Sequence, residues 1–388
     1  MPLPLVQEVE RPGIIDLGWG HPDPGSLPAE AWSTAIAAAL RRYGWQALTY
    51  GAAAGPGPLV EWLCDRLSRI DGAAPTPSAT FVTSGASQAL ELVSGMLVER
   101  GDVVLVDAPT YHLALRIFAD RSAELHPVPV DRLGIVPDAT LDLIRELERR
   151  GKRVALLYLV PTFGNPTGAS LGAERRTALA ALASQTGVTI VEDDTYRELS
   201  YVDTSPPSLW SIAHGDRVVR VGSFSKSVAP GLRLGWLNAK PGFVRRLAER
   251  GFVDSGGCLN HTNALAMAEF GASGGYDDHL AVLRGLYRQR RDALVSAVRR
   301  HLGTDLATPD GGWFLWVPLG DVDCRQLLLS AERRGVSYLP GTNFFVRPEA
   351  GRHYARLSYS MLAEPVLEEG ARLLGAALTA ERDAPMQR

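Results

Sequence analysis

The chain has 388 residues and a mass of 41.8 kDa, enough for two to three units of ~150 residues and a large buried core. Hydrophobic residues make up 46% and charged residues 21%, which excludes wholesale disorder and a collagen-like chain. Lys plus Arg number 40 and Asp plus Glu 43, a net charge of −3 without the basic surplus of a nucleic-acid binder.

At the N-terminus Pro2 and Pro4 come early and Glu8 and Glu10 follow, so no signal peptide is expected. Short apolar runs bounded by turn residues follow at 80–83, 103–107, 154–160, 188–192, 218–221 and 232–238. Several are apolar at consecutive positions, the pattern of strands buried on both faces of a mainly parallel sheet. Helical periodicity lies between them. After Ala86, residues Ala89, Leu90, Val93, Met96 and Leu97 share a face, and 137–150 and 171–185 behave alike. This alternation predicts an α/β fold with helices on both faces of the sheet. The charge-free stretch 154–173 contains Pro161, Gly164, Asn165, Pro166, Gly168 and Gly172, so it is predicted as strand and turn, not as a membrane span.

From Tyr276 the texture changes. A long helix is predicted over 277–302, with short strands near 313–317, 335–339 and 355–359 and helices near 324–334 and 365–378. The expected organisation is an N-terminal arm and part of the small unit over 1–45, a large unit over 46–284 and a small α+β unit over 285–388. Residues 382–388 are expected to fray. Cys64, Cys258 and Cys324 are odd in number and far apart, which fits a reducing cytoplasm better than a disulfide framework or zinc site.

Ser223-Phe224-Ser225-Lys226, followed by Pro230-Gly231, Arg233 and Gly235, lies between two buried runs. Lys226 therefore sits in a loop at a strand end, where open α/β sheets bind ligands. Hydroxyls and an arginine around a lysine suit an anionic cofactor whose carbonyl condenses with an amine. Arg233 and the hydroxyls can hold a phosphate, and a nearby cation with partial desolvation lowers the lysine pKa. Alone, this would read as a surface lysine in a Ser-rich turn. Three further elements accompany it. Asn165-Pro166-Thr167-Gly168 follows an apolar run and has a turn composition. Glu192-Asp193-Asp194-Thr195-Tyr196 closes another, where acids need partners; Asp194 is read as a cap of the next segment. Thr83-Ser84-Gly85-Ala86-Ser87 joins a strand to a helix, a ready phosphate cradle or a plain cap.

Together these motifs resemble the fold-type I pyridoxal-phosphate enzymes, specifically the class I/II aminotransferases, over about residues 16–378. Pro161-Thr162-Phe163-Gly164-Asn165-Pro166 and Glu192-Asp193-Asp194-Thr195-Tyr196 are most similar to the branch of 2-aminoadipate aminotransferases and MocR regulators. The resemblance implies that Lys226 bonds the cofactor, pyridoxal 5′-phosphate, and then moves the substrate proton. Asp193 would keep the pyridine nitrogen protonated. Asn165 and Tyr196 would hydrogen-bond the phenolic oxygen, and Tyr111 would stack on the ring. Ser84, Gly85, Ala86, Ser87, Ser223, Ser225 and Arg233 would surround the phosphate, with Tyr50 reaching it from a neighbouring subunit of a homodimer.

Arg356, in Ala355-Arg356-Leu357-Ser358, matches the family's arginine for the α-carboxylate, a task that suits a planar guanidinium. Residues 18–23, with Trp19, Gly20, His21 and Asp23, are expected to cover the substrate side chain together with Asn165. They hold no evident second arginine for a distal carboxylate. Trp313 and Phe314 suit the pocket or the core equally, and His112, His261 and His279 are read as structural. No metal is expected.

The implied activity is exchange of an amino group between an L-amino acid and a 2-oxo acid in a ping-pong cycle. Another pyridoxal-phosphate reaction (elimination, oxidation or cyclisation) is the alternative on the same scaffold. A MocR-like regulator needs a DNA-binding module upstream. Only a short run precedes Asp16, so no nucleic-acid partner is expected.

Overall fold

The computed structural model describes residues 11–202 and 205–383. The N-terminal run read above for a leader, residues 1–10, lies outside the described residues, as does most of the expected frayed tail.

After the two-residue strand β1 (Ile15–Asp16) come β2 (Thr80–Thr83), β3 (Val103–Val106), β4 (Glu124–Pro127), the hairpin β5 (Val130–Asp131) and β6 (Gly134–Ile135), β7 (Val154–Leu159), β8 (Thr189–Asp193), β9 (Val218–Ser223) and β10 (Gly235–Asn238). Seven of these form one sheet in the order β2-β10-β9-β8-β7-β3-β4. The pairs β9–β8, β8–β7, β7–β3 and β3–β4 are parallel, and β10 runs antiparallel to both its neighbours. The mainly parallel, mixed sheet expected from the apolar runs is present.

The runs are apolar without alternation because both faces are covered. Val104 and Val106, Leu156 and Tyr158, and Val191 join one core cluster. Val103 and Leu105, Leu157 and Leu159, and Ile190 join the other. Helices Ala86–Leu97, Pro137–Arg149 and Ala173–Thr186 lie close to their predicted ranges. The predicted run 232–238 divides differently. Pro230–Leu232 is a short 3-10 turn and the strand begins only at Gly235, because the intervening Arg233 is left-handed, with φ 46°.

The C-terminal elements are the helix Gly275–Leu302, β11 (Phe314–Pro318), the helix Cys324–Glu332, β12 (Val336–Ser337), β13 (Leu339–Pro340), β14 (Tyr354–Ser358) and the helix Glu364–Asp383. The run 335–339 is therefore two short strands with different partners. β12 pairs with β1, and β13 joins the antiparallel sheet β11-β14-β13. The expected division at 284/285 falls inside the helix Gly275–Leu302. No helix among the described residues is long and apolar enough to cross a membrane.

Candidate active site

The loops after β2, β3, β7, β8 and β9 all leave the same edge of the large sheet, at the carboxyl ends of its parallel strands. With residues 16–22 and β14 they enclose a cavity of about 810 Å³. Lys226, Asp193, Tyr196, Tyr111, Asn165, Ala86, Ser87, Ser223, Ser225, Arg233, Arg356, Trp19 and Gly20 all line it.

Pleat alternation separates the three consecutive acids at the end of β8. Glu192 faces the side of Ile190 and accepts from the backbone N–H groups of Leu209 and Trp210, both at 2.9 Å. Asp193 faces the cavity. Its Oδ2 accepts from the Tyr158 hydroxyl at 2.9 Å, and its Oδ1 accepts from the Thr195 hydroxyl at 2.6 Å. Burial raises the Asp193 pKa, and those two donors oppose the rise. Asp194 does not cap the following segment, contrary to the sequence expectation. It lies in a buried network in which Arg220 donates to it from Nε (2.9 Å) and a terminal nitrogen (2.6 Å). Arg220 and Arg197 each also reach Asp71 at 2.6 Å. Burial opposes ionisation of Asp71, but Arg220 and Arg197 outweigh it and hold the pKa at about 2.

Lys226 is enclosed. Its Nζ donates to the Gly20 carbonyl at 3.1 Å and lies 4.6 Å from the centroid of the Trp313 ring. Burial, then Arg356 and Arg233, lower its pKa to about 8. Trp313 is thus a buried floor beneath the lysine, while Phe314 lines the cavity and lies 4.1 Å beneath the Arg356 guanidinium. Arg356 is delivered by β14, opposite Trp316 and Leu339. It donates to Asn165 Oδ1 at 3.0 Å and to the Gly18 carbonyl, and its buried Nε has no partner among the described residues.

The loop Ser223–Arg233 folds on itself through a 2.9 Å bond between the Ser223 and Ser225 hydroxyls. Asn260 and Asn263 brace it by donating to the Leu232 carbonyl at 2.9 and 3.1 Å. Arg233 donates to the Ser84 carbonyl at 3.2 Å. A Cβ on Gly85 would stand 2.8 Å from an Arg233 terminal nitrogen, and one on Gly235 would stand 2.9 Å from Gly85 Cα. Glycines therefore let the guanidinium reach the start of the helix Ala86–Leu97, where free N–H groups point outward.

Several expected residues lie elsewhere. The Ser84 hydroxyl turns to the Leu259 carbonyl at 3.0 Å and does not line the cavity. Asp23 caps the turn Pro24–Ser26 and pairs with Arg290 at 2.8 Å, away from the cavity. Tyr50 is 82% exposed and outside it. His112, read as structural, lines the cavity as a neutral imidazole, its pKa lowered to about 4 by burial and by Arg356. Tyr158, the Asp71–Arg197–Arg220 network and Arg11, which also lines the cavity, carried no sequence signal. A buried tyrosine on a strand and arginines scattered through the chain become a constellation only once folded.

The site's chemistry fits a phosphorylated pyridine aldehyde. A hydrogen-bonded carboxylate suits a pyridinium, a depressed amine suits the carbonyl, and a helix start beside an arginine suits the phosphate. An arginine with an unpartnered buried nitrogen suits a carboxylate. The family model for class I and II aminotransferases matches residues 12–372. The chain belongs to that family, and is a pyridoxal-phosphate-dependent enzyme that transfers amino groups between an amino acid and a 2-oxo acid. It is 33% identical to aromatic-amino-acid aminotransferase 1 of Thermococcus litoralis, over 97% of this chain and 91% of that one. It is also 33% identical to the 2-aminoadipate transaminase of Thermus thermophilus, over 96% and 92%. Among solved structures, the kynurenine aminotransferase of Pyrococcus horikoshii in complex with PMP, kynurenine and kynurenic acid superposes with a TM-score of 0.89. It is 32% identical over 96% of this chain and 92% of that one.

Proposed function

We propose that donor amino acid and acceptor 2-oxo acid occupy this cavity in turn, each with its α-carboxylate on Arg356. The observation that carries the reading is the convergence of Lys226, Asp193 and Arg356 on one enclosed cavity. Pyridoxal phosphate supplies an electron sink that acidifies the Cα–H bond of the bound amino acid. This chain's residues do the rest. Lys226 Nζ, with its pKa lowered to about 8, would, in its neutral form, take the proton from the Cα of the donor amino acid and, in the other half of the cycle, supply one to the Cα formed from the acceptor 2-oxo acid. Asp193, fixed by Tyr158 and Thr195, supplies the counter-charge for a pyridinium. Asn165 and Tyr196 would donate to the phenolic oxygen. Tyr111, on the cavity lining, would cover one ring face. Ala86, Ser87, Ser223, Ser225 and Arg233 hold the phosphate, and Trp313 keeps the underside of Lys226 dry.

Tyr50 supports a homodimer in which it completes the site of the other subunit. Three buried free cysteines support a reducing cytoplasm as the setting. Borohydride reduction of the holoenzyme followed by peptide mapping tests the assignment of the lysine. The pyridoxyl label is expected on Lys226, and Lys226→Ala should abolish turnover with the fold retained. Label on another lysine would overturn the reading.

A further inference from the structure

Residues 18–23 supply no second arginine, as the sequence indicates, but Arg11, further upstream, lines the cavity. That arginine is already engaged. One terminal nitrogen donates to Asp16 Oδ2 at 2.7 Å and the other to Glu332 Oε1 at 2.5 Å. Neither acid is loosely placed. Asp16 Oδ1 accepts from the Gly18 N–H at 2.8 Å, and Glu332 Oε1 accepts from the Ser337 hydroxyl at 2.9 Å. The parallel pairing of β1 with β12 sets Asp16 beside Ser337. The cluster lies near the α-carboxylate arginine, since Arg356 donates to the carbonyl of Gly18, two residues from Asp16.

One guanidinium against two carboxylates gives this cluster one net negative charge, with Arg11 and Asp16 on the cavity lining and Glu332 off it. Trp19, His21, Tyr338 and Leu339, from the segments that carry Asp16 and Ser337, also line the cavity. Burial and the neighbouring Lys226 lower the His21 pKa, which favours a neutral ring. A substrate side chain beside these residues therefore meets aromatic and aliphatic surface and an arginine already paired with two carboxylates.

We propose that Asp16 and Glu332 withdraw Arg11 from substrate, so that the enzyme selects donors and acceptors with neutral, large apolar or aromatic side chains and rejects those with a distal carboxylate. This rests on the reading above, in which Arg356 holds the α-carboxylate and leaves the side chain facing the cluster. A distal carboxylate would have to displace Asp16 or Glu332 from Arg11 or lie beside them as a like charge. Asp16 and Glu332 thus act as specificity residues through Arg11, without touching the reacting atoms.

Single-turnover bleaching of the holoenzyme's visible absorbance, with L-tyrosine, L-leucine, L-glutamate and L-2-aminoadipate, tests this. The parent should favour the two neutral amino acids by at least about tenfold, the weight of one partly screened charge interaction. Asp16→Asn keeps an acceptor for the Gly18 N–H and removes one charge. It should shift the L-2-aminoadipate to L-tyrosine ratio of kcat/KM upward by about tenfold. Glu332→Gln should shift it in the same direction, and gives a second reading if Asp16→Asn folds poorly. Equilibrium displacement by glutarate against hexanoate gives the same ordering without turnover. A parent that uses the acidic and neutral amino acids equally, or ratios unmoved in both variants, overturns the proposal and leaves the aminotransferase reading standing. Bleaching by none of the four, with cofactor bound, overturns the reading of the site and the proposal with it.

Discussion

Asp193 and Asp194 are adjacent in sequence, but they pair with different groups and should fail differently. Asp193 holds two neutral hydroxyl donors and faces the cavity, whereas Asp194 neutralises Arg220 inside the protein. Removing Asp194 leaves Arg220 and Arg197 to share Asp71, and losing one member of a buried ion network costs up to ~3–5 kcal/mol. Asp194→Ala should therefore lower the unfolding midpoint in thermal melts. Asp193→Asn should leave that midpoint of the apoprotein nearly unchanged and abolish turnover. Tyr158→Phe removes a single bond to a charged acceptor, a loss of ~1.5–3 kcal/mol. It should weaken the affinity of apoprotein for pyridoxal phosphate about 10–100-fold in fluorescence titration. An unchanged affinity would show that Thr195 alone fixes the carboxylate. Lys226 gives a pH prediction. Its pKa is depressed to about 8, so the amine is protonated and unreactive below that pH and free above it. Covalent loading of apoprotein with the cofactor should rise with a midpoint near pH 8, against the ~10.4 of an ordinary lysine.

The loops at the carboxyl edge of the sheet meet through glycine. A Cβ on Gly235 would stand 2.7 Å from the Gly222 carbonyl and 2.9 Å from Gly85 Cα, all backbone atoms that cannot swing aside. Gly235→Ala should force apart the starts of β10 and of the helix Ala86–Leu97 and so weaken phosphate binding. The check is a competition between pyridoxal and pyridoxal phosphate for the apoprotein. The variant should lose its preference for the phosphorylated form, and an intact preference would mean that Arg233 does not depend on this packing. The centre of the large sheet was legible from the sequence because strands such as β3 and β7 are apolar at consecutive positions, a pattern set by burial on both faces, whereas the edge strand β4, with Glu124 and His126, gave no such run. Residues in short motifs, such as Lys226, Arg233 and Asn165, were legible for a similar local reason. Asp194 was misread because its main partner, Arg220, is supplied by a different segment, the strand β9. Arg11 was missed because its place depends on the pairing of β1 with β12, more than 300 residues apart. The two-residue strands of the C-terminal part are too short for periodicity to divide them.

At the scale of the whole molecule the exposed aromatic surface is uneven. Trp45, Leu48, Tyr50 and Phe252 are 75%, 72%, 82% and 67% exposed. They lie on segments that are themselves well anchored. The Gln46 and Ala47 carbonyls accept from His261 and Thr262 at 2.9 and 2.7 Å, and Gly51 bridges to Gly257. Large apolar side chains presented on a fixed backbone mark an interface, and a twofold pair is the commonest way for a soluble chain to cover one. Sedimentation at assay concentration should give a dimer, and Trp45→Ser combined with Leu48→Ser should weaken it. Subunit mixing decides whether Tyr50 serves its own site or its partner's. Lys226→Ala and Tyr50→Ala chains are each expected to be impaired as homodimers. In a mixed dimer, a shared site would join the intact Lys226 of one chain to the intact Tyr50 of the other, while the opposite site carries both changes. Co-expression should then restore about a quarter of parental activity, since half of randomly assorted dimers are mixed and each has one intact site. If Tyr50 acted within its own chain, every intact lysine would still face a missing tyrosine, and mixing would restore nothing.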